Sequence, residues 1–221
     1  DISLTWWTVG MAALAGMLGT GGVAFLYRGI ADGHTAITVP VSAVLCALMP
    51  VLYGMLSHGI PSMRICAGIG LGVVAIVLTS WSGHIQQHNG LWYGIAAGCL
   101  FGLFFVCINM VGSPEGYLAP LAVSRTTALV ITIPWALWRP APRPDRRTTG
   151  LAVLAGLADV VASWAFVVSA QTGRIDIAGV LAALYPAVTV TLAYLINHEQ
   201  IGRPQRWGLV VTVVATALIA G

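Results

Sequence analysis

Ile175–Ala220 reads IDIAGVLAALYPAVTVTLAYLINHEQIGRPQRWGLVVTVVATALIA: a long apolar run carrying Leu184-Tyr185-Pro186, then Glu199, a short basic turn and Gly208. The same layout occurs 140 residues earlier. The offset pairs Ile37 with Ile177, Ala43 with Ala183, His58 with His198 and Gly68 with Gly208. Val73, Val74, Ala75 and Leu78 likewise pair with Val213, Val214, Ala215 and Leu218, and Gly33 in one polar turn pairs with Gly173 in another, without a gap. Alanine and valine coincide often by chance, so the weight rests on the glycines, the histidine and the shared turn positions. An internal repeat of this kind governs the fold.

Composition decides what sort of fold is repeated. Of 221 residues, 58% are hydrophobic and only 8% are charged, where a soluble domain carries roughly a quarter. Mean hydropathy is +0.89. This is the composition of a membrane protein whose main partner is the lipid bilayer. All ten basic side chains are arginines, many of them between Arg139 and Arg147 or near Arg203, a pattern that suits loop anchoring and not nucleic-acid binding. Cys46, Cys66, Cys99 and Cys107 all sit in apolar runs with no C-x-x-C, as small core residues do. Asp1-Ile2-Ser3 is not the basic start of a signal peptide, and the first methionine is Met11, so the chain reads as not beginning at its natural start.

A bilayer core takes ~20 helical residues, which gives about eight spans: Leu4 to Ile30, Ala36 to Ser57, Ser62 to Trp81, Leu91 to Val111, Tyr117 to Trp138, Thr149 to Thr172, Ile175 to Asn197, and Gln205 to the end. The proline- and arginine-rich segment Arg139 to Arg147 cannot stay helical or apolar and is the longest loop. Trp6, Trp7, Trp81, Trp92, Trp135, Trp138 and Trp207 fall near span ends, as an interfacial aromatic belt would. Between the turns at Gly33 and Gly173 the chain crosses five times, and five is odd. Equivalent segments therefore run in opposite directions, the inverted repeat of secondary transporters. A five-span unit leaves residues 1–82 as the last three helices of a first unit, with two helices missing, and residues 90–221 as a complete second unit.

These residues resemble the EamA family of the drug/metabolite transporter superfamily, ten-helix proteins of two five-helix units. Gly156-Leu-Ala-Asp159, Gly173, Val180-Leu-Ala-Ala-Leu-Tyr185-Pro186-Ala-Val-Thr189, Glu199 and Gly208 are similar to that family's helices eight to ten. Tyr27 to Gly33, Pro40, Pro50, Gly59, Pro61 and Gly68 are similar to its helices three to five. Gly59-Ile60 stands where the first unit often has a glutamate. The resemblance implies an all-α polytopic protein that moves small organic metabolites, such as amino acids or drug-like compounds, outward across a bacterial inner (plasma) membrane.

An ionisable group within a span costs ~2.5 to 3.5 kcal/mol on insertion scales and is a default candidate for the substrate path. Asp159 lies well inside the sixth span, where it either faces a cavity, taking a proton or a substrate ammonium, or hydrogen-bonds a neighbouring helix. Arg125, beside Ser124, Thr126 and Thr127, is read first as a snorkelling or ion-paired arginine and second as a carboxylate ligand. Proline inside a span frees a carbonyl that only a cavity or a neighbouring helix can satisfy. Of Pro40, Pro50, Pro134 and Pro186, the Tyr185-Pro186 step is the best candidate, because a phenol stands beside the freed backbone, with a purely structural kink the alternative. Asn109, Trp164 and Tyr27 complete the candidate substrate-binding set, with interhelical packing the alternative for each.

The glycines of Gly94-x-x-x-Gly98-x-x-x-Gly102 share one helix face and signal close packing. They are no phosphate loop, since no Lys-Ser or Lys-Thr follows them. His84 and His88 are four apart but lack a third ligand, and no metal or other cofactor is expected. Glu199 with Arg203 and Arg206 reads as a capped, solvated turn. An intramembrane enzyme would need a nucleophile and base at one depth, and no such set converges. The expected function is a secondary carrier driven by protons or by a substrate gradient; the alternative is a non-transporting membrane scaffold or ligand sensor with the same repeat. By the positive-inside rule the face holding Arg139 to Arg147 and Arg203 to Arg206 is cytoplasmic, whereas the resemblance, with both termini inside, places it outside.

Overall fold

The computed structural model describes residues 5–80, 89–111, 116, 118–138, 145–197 and 202–220. Almost all of them are helical: α1 (Trp6–Ala31), α2 (Thr35–His58), α3 (Met63–Thr79), α4 (Asn89–Val111), α5 (Leu118–Trp138), α6 (Arg146–Thr172), α7 (Ile175–Ala183), α8 (Tyr185–Asn197) and α9 (Arg203–Ala220). No strand occurs among the described residues. The protein is an all-α polytopic membrane protein. Six helical segments among the described residues are long and apolar enough to cross a bilayer, and α3, with 17 residues, is shorter.

The helices begin and end close to the expected spans, with two informative differences. α6 starts ahead of Thr149, taking in Arg146 and Arg147, because Asp145 caps it. The Asp145 carboxylate accepts the Thr148 N–H at 3.0 Å, and its carbonyl accepts the Thr149 hydroxyl at 2.9 Å. The expected seventh span is broken at Leu184 into α7 and α8. Pro186 supplies no N–H at that point, so the chain turns through the Leu184 N–H to Leu181 O bond (3.3 Å) and the Ala187 N–H to Leu184 O bond (3.0 Å). Pro40 and Pro50 remain inside a continuous α2, and Pro134 inside α5.

Small residues let the helices meet. Gly90, Gly94, Gly98 and Gly102 form a seam on α4 into which α2 and the turn before it press; a Cβ on Gly98 would lie 2.7 Å from both Ser42 O and Leu45 Cβ. The contact between α3 and α9 is reciprocal. Gly68 on α3 lies against Leu218 and Ile219, and Gly208 on α9 lies against Leu78 and Thr79. Adding 140 to Gly68, Leu78 and Thr79 gives Gly208, Leu218 and Ile219, so each contact maps onto the other. Gly179 on α7 packs onto Pro50, and the core beneath is built from Ala43, Ala47, Val51, Ile76, Val180 and Ala183.

Alternating helix direction puts Arg28, Arg146, Arg147, Arg203 and Arg206 toward one end of the bundle, and Arg64 and Arg174 toward the other. At the arginine-rich end the second half of α5 and the first half of α6 are exposed along their length, presenting Leu129, Ile133, Leu137, Leu151, Leu154 and Leu157.

Candidate functional site

A cavity of ≈ 1010 Å³ lies among α1, α2, α4, α5, α6, α7 and α8. Its mouth is formed by exposed Tyr27 on α1 and Trp135 on α5, each about a turn from the arginine-rich end. Phe104, Phe166 and Ala178 are buried lining residues, while the α6 lining residues Ala155, Gly156, Asp159, Ala162, Ala165 and Ser169 are exposed. The lining includes the two charges expected from the sequence, Arg125 on α5 and Asp159 on α6. Arg125 Nη2 is 2.8 Å from Asp159 Oδ2, and it also donates to the hydroxyl of Ser163, one turn farther along α6. The side chain of Arg125 is 31% exposed and that of Asp159 61%, so the carboxylate stands out into the cavity while the guanidinium is set into the wall. Arg125 Nε is buried and has no hydrogen-bond partner among the described residues.

Of the sequence-derived candidates, the cavity brings together Tyr27, Arg125, Asp159 and Tyr185. Tyr185 lines the cavity from the first position of α8, and the Ser42 hydroxyl of α2 donates to Val39 O at 2.9 Å. Asn109, Trp164 and Pro186 are not among the lining residues. Asn109 joins α4 to α6 instead, since Gln171 Nε2 donates to its carbonyl at 2.7 Å and to Oδ1 at 3.3 Å. Pro186 is buried in the first turn of α8, and Trp164 is exposed on α6. His84, His88, Glu199 and most of the Arg139 to Arg147 loop lie outside the described residues. No metal-binding cluster of His, Cys, Asp or Glu occurs among the described residues.

Sequence reasoning passed over a second charged pair, at the end remote from the mouth. Asp176, one residue into α7, is 0% exposed. Arg174 Nε reaches Asp176 Oδ1 and Oδ2 at 3.1 and 3.2 Å, and Nη2 reaches Oδ2 at 2.9 Å. The Ile177 N–H also donates to Oδ1, at 3.0 Å. The same guanidinium donates to Gly59 O at 2.7 Å and His58 O at 3.4 Å, tying the α6–α7 turn to the end of α2. Gly59 presents that carbonyl from a φ of +75°, a conformation that favours glycine. Hydrogen bonding to Asp176 pushes the Arg174 guanidinium further above its ordinary pKa. The available signal was a carboxylate two residues after an arginine at the mouth of an apolar run. Ser163 was similarly legible, four residues beyond Asp159 on one helix face.

At the mouth end, Asp32 accepts the Tyr93 hydroxyl at 2.8 Å and Arg28 Nε at 3.1 Å, joining the end of α1 to α4. The Tyr93 hydrogen bond and, after it, Arg28 hold the Asp32 carboxyl below the usual carboxylate range.

The sequence model of the EamA-like transporter family matches residues 88–221. No curated protein sequence gives a significant match. Ten chains of solved structures match this one. One of them, a crystal structure described simply as that of a protein, is 17% identical and has a TM-score of 0.65, the match covering 99% of this chain and 90% of that one. At that identity the likeness is one of fold.

Proposed function

The chain belongs to the EamA-like transporter family, and from that premise we propose that it is a secondary carrier exporting small organic metabolites, amino acids or drug-like compounds among them, by alternating access around the α1–α8 cavity. The observation that carries the reading is a large apolar cavity whose described lining residues include the Arg125–Asp159 ion pair. A midplane site lined by discontinuous helix is the arrangement expected of carriers built from inverted repeats, and the α7–α8 break reaches this cavity at Tyr185. The mouth faces the arginine-rich end, the cytoplasmic side by the positive-inside rule. Solute would thus load from inside and leave once the Arg174–Asp176 tie to α2 parts.

We read residues 1–82 as three helices of a first repeat and residues 90–221 as the five of a second. The exchange of the Gly68 and Gly208 contacts under the 140-residue offset supports this. So does a contrast between α1 and α6. Gly16 on α1 is packed against Ser124 and Thr127 of α5, while Gly156, 140 residues on, has nothing within 4 Å. The exposed face of α6 is therefore where a helix pair equivalent to α4–α5 would dock, consistent with two further helices in the first repeat.

Asp159 is the proposed proton carrier. Its replacement by asparagine is expected to abolish flux driven by a pH gradient while sparing counterflow in proteoliposomes. Unchanged pH dependence would remove Asp159 from that role. A protein that stays folded and moves no solute from a broad panel would favour the scaffold reading.

A further inference from the structure

Among the described residues lining the cavity there is one cation, Arg125, and one carboxylate, Asp159, and they are paired. The remaining titratable groups facing the same space are Tyr27 from α1, Cys46 from α2 and Tyr185 from α8. The rest of the wall is largely apolar and includes Phe101, Phe104, Phe105, Phe166 and Trp135. Resting charge in the cavity is therefore balanced, and a solute that leaves it unbalanced must bear a desolvation cost.

The two partners of the pair are not equivalent. Arg125 is anchored in the wall by Ser163 and keeps a buried Nε with no acceptor. Asp159 projects into the cavity, with Arg125 as its ion-pair partner. Guanidinium binds carboxylate through two parallel N–H donors and stays protonated throughout. A carboxylate arriving alone would add a negative charge beside Asp159, whereas one arriving with a proton on Asp159 restores neutrality and turns Asp159 into a hydrogen-bond donor toward the newcomer. An amine arriving alone would meet the fixed guanidinium.

Resting on the carrier reading above, we propose that the solute is an organic monocarboxylate with an apolar or aromatic body, bound by Arg125 while Asp159 holds a proton. One proton then travels with each anion. Asp159 takes its proton from the face to which the cavity is open and returns it on the other side when the solute leaves; no bond to carbon is made or broken.

The test is calorimetric binding to the full chain in buffers of different ionisation heat, with phenylpyruvate, phenethylamine and phenylalanine as probes, each also tried as a counterflow substrate. The expected result is phenylpyruvate binding with uptake of about one proton, weakening as pH rises. Asp159→Asn is expected to bind phenylpyruvate without proton uptake and with an affinity that no longer weakens as pH rises. Arg125→Gln is expected to lose this binding and Arg125→Lys to keep it in weakened form; size-exclusion profiles report the folding of each. Preference for phenylalanine or phenethylamine, or phenylpyruvate binding with no proton uptake, overturns the proposal and leaves the carrier reading standing. A folded protein that neither binds nor moves any of the three counts against both.

Discussion

Replacing Arg174 by glutamine should be among the most damaging single changes outside the helix cores. It leaves Asp176, which is 0% exposed, with the Ile177 N–H in place of three contacts to a guanidinium. Removing one partner of a buried ion pair costs about 3–5 kcal/mol, because the remaining charge is stranded. The Arg174 side chain keeps 24% of its exposure, so the lower end of that range, about 3 kcal/mol, applies. At about 2–4 °C per kcal/mol for a chain of this size, the melting temperature should fall by roughly 6–12 °C. Asp176→Asn strands no anion and leaves Arg174 free to keep Gly59 O and His58 O, so its cost should be nearer one lost hydrogen bond, about 1 kcal/mol. The double variant should resemble Asp176→Asn and be more stable than Arg174→Gln alone. Thermal denaturation of the four proteins in one detergent measures this. The reasoning is refuted if Arg174→Gln melts with the parent protein, or if Asp176→Asn falls as far as Arg174→Gln.

Other expectations follow from the same contacts. Gly98→Ala should destabilise by about 1–2 kcal/mol, the overpacking cost less the gain in helix propensity; Gly70→Ala, with nothing within 4 Å of the new methyl, should be neutral or stabilising in the same denaturation assay. Pro186→Ala should restore the hydrogen bond missing between α7 and α8, raising the melting temperature while slowing counterflow, because a continuous helix there stiffens the cavity wall. The Asp32 carboxyl is lowered in the folded protein, so its contribution is present above the ordinary carboxylate pKa of about 3.9 and lost as pH falls through the lower folded value. Tyr93→Phe removes the largest cause of that lowering, and the difference in melting temperature between pH 7 and acid conditions below that range should shrink.

Much of the architecture could be read from the chain because hydropathy and turn residues set span limits independently of tertiary contacts. The glycines of α4 were legible as a seam because a four-residue spacing keeps them on one face, though which helix would fill it was not. The start of α6 was missed because Asp145 caps past two arginines that hydropathy alone assigns to a loop. Arg125 and Asp159 stood out as charges deep in apolar runs. Their contact joins residues 34 positions apart on different helices, which no local pattern encodes. Asn109 shows the converse: polar and inside a span, it serves α4–α6 packing, and sequence carries no mark separating that use from a cavity lining. Asp176 was overlooked because it stands at a span edge, where a charge is usually solvated; its burial comes from α2, whose Gly54 lets the carboxylate approach.

The most direct test of the account is counterflow of labelled organic solutes in proteoliposomes containing the purified chain, run in parallel for the parent protein and for Arg125→Lys. Saturable exchange by the parent is expected, competed by other solutes that fit the cavity and weakened when Arg125 is changed with the fold intact. Exchange that does not saturate, or that is the same in the variant as in the parent, would contradict the claim that the cavity around Arg125 and Asp159 is the transport site.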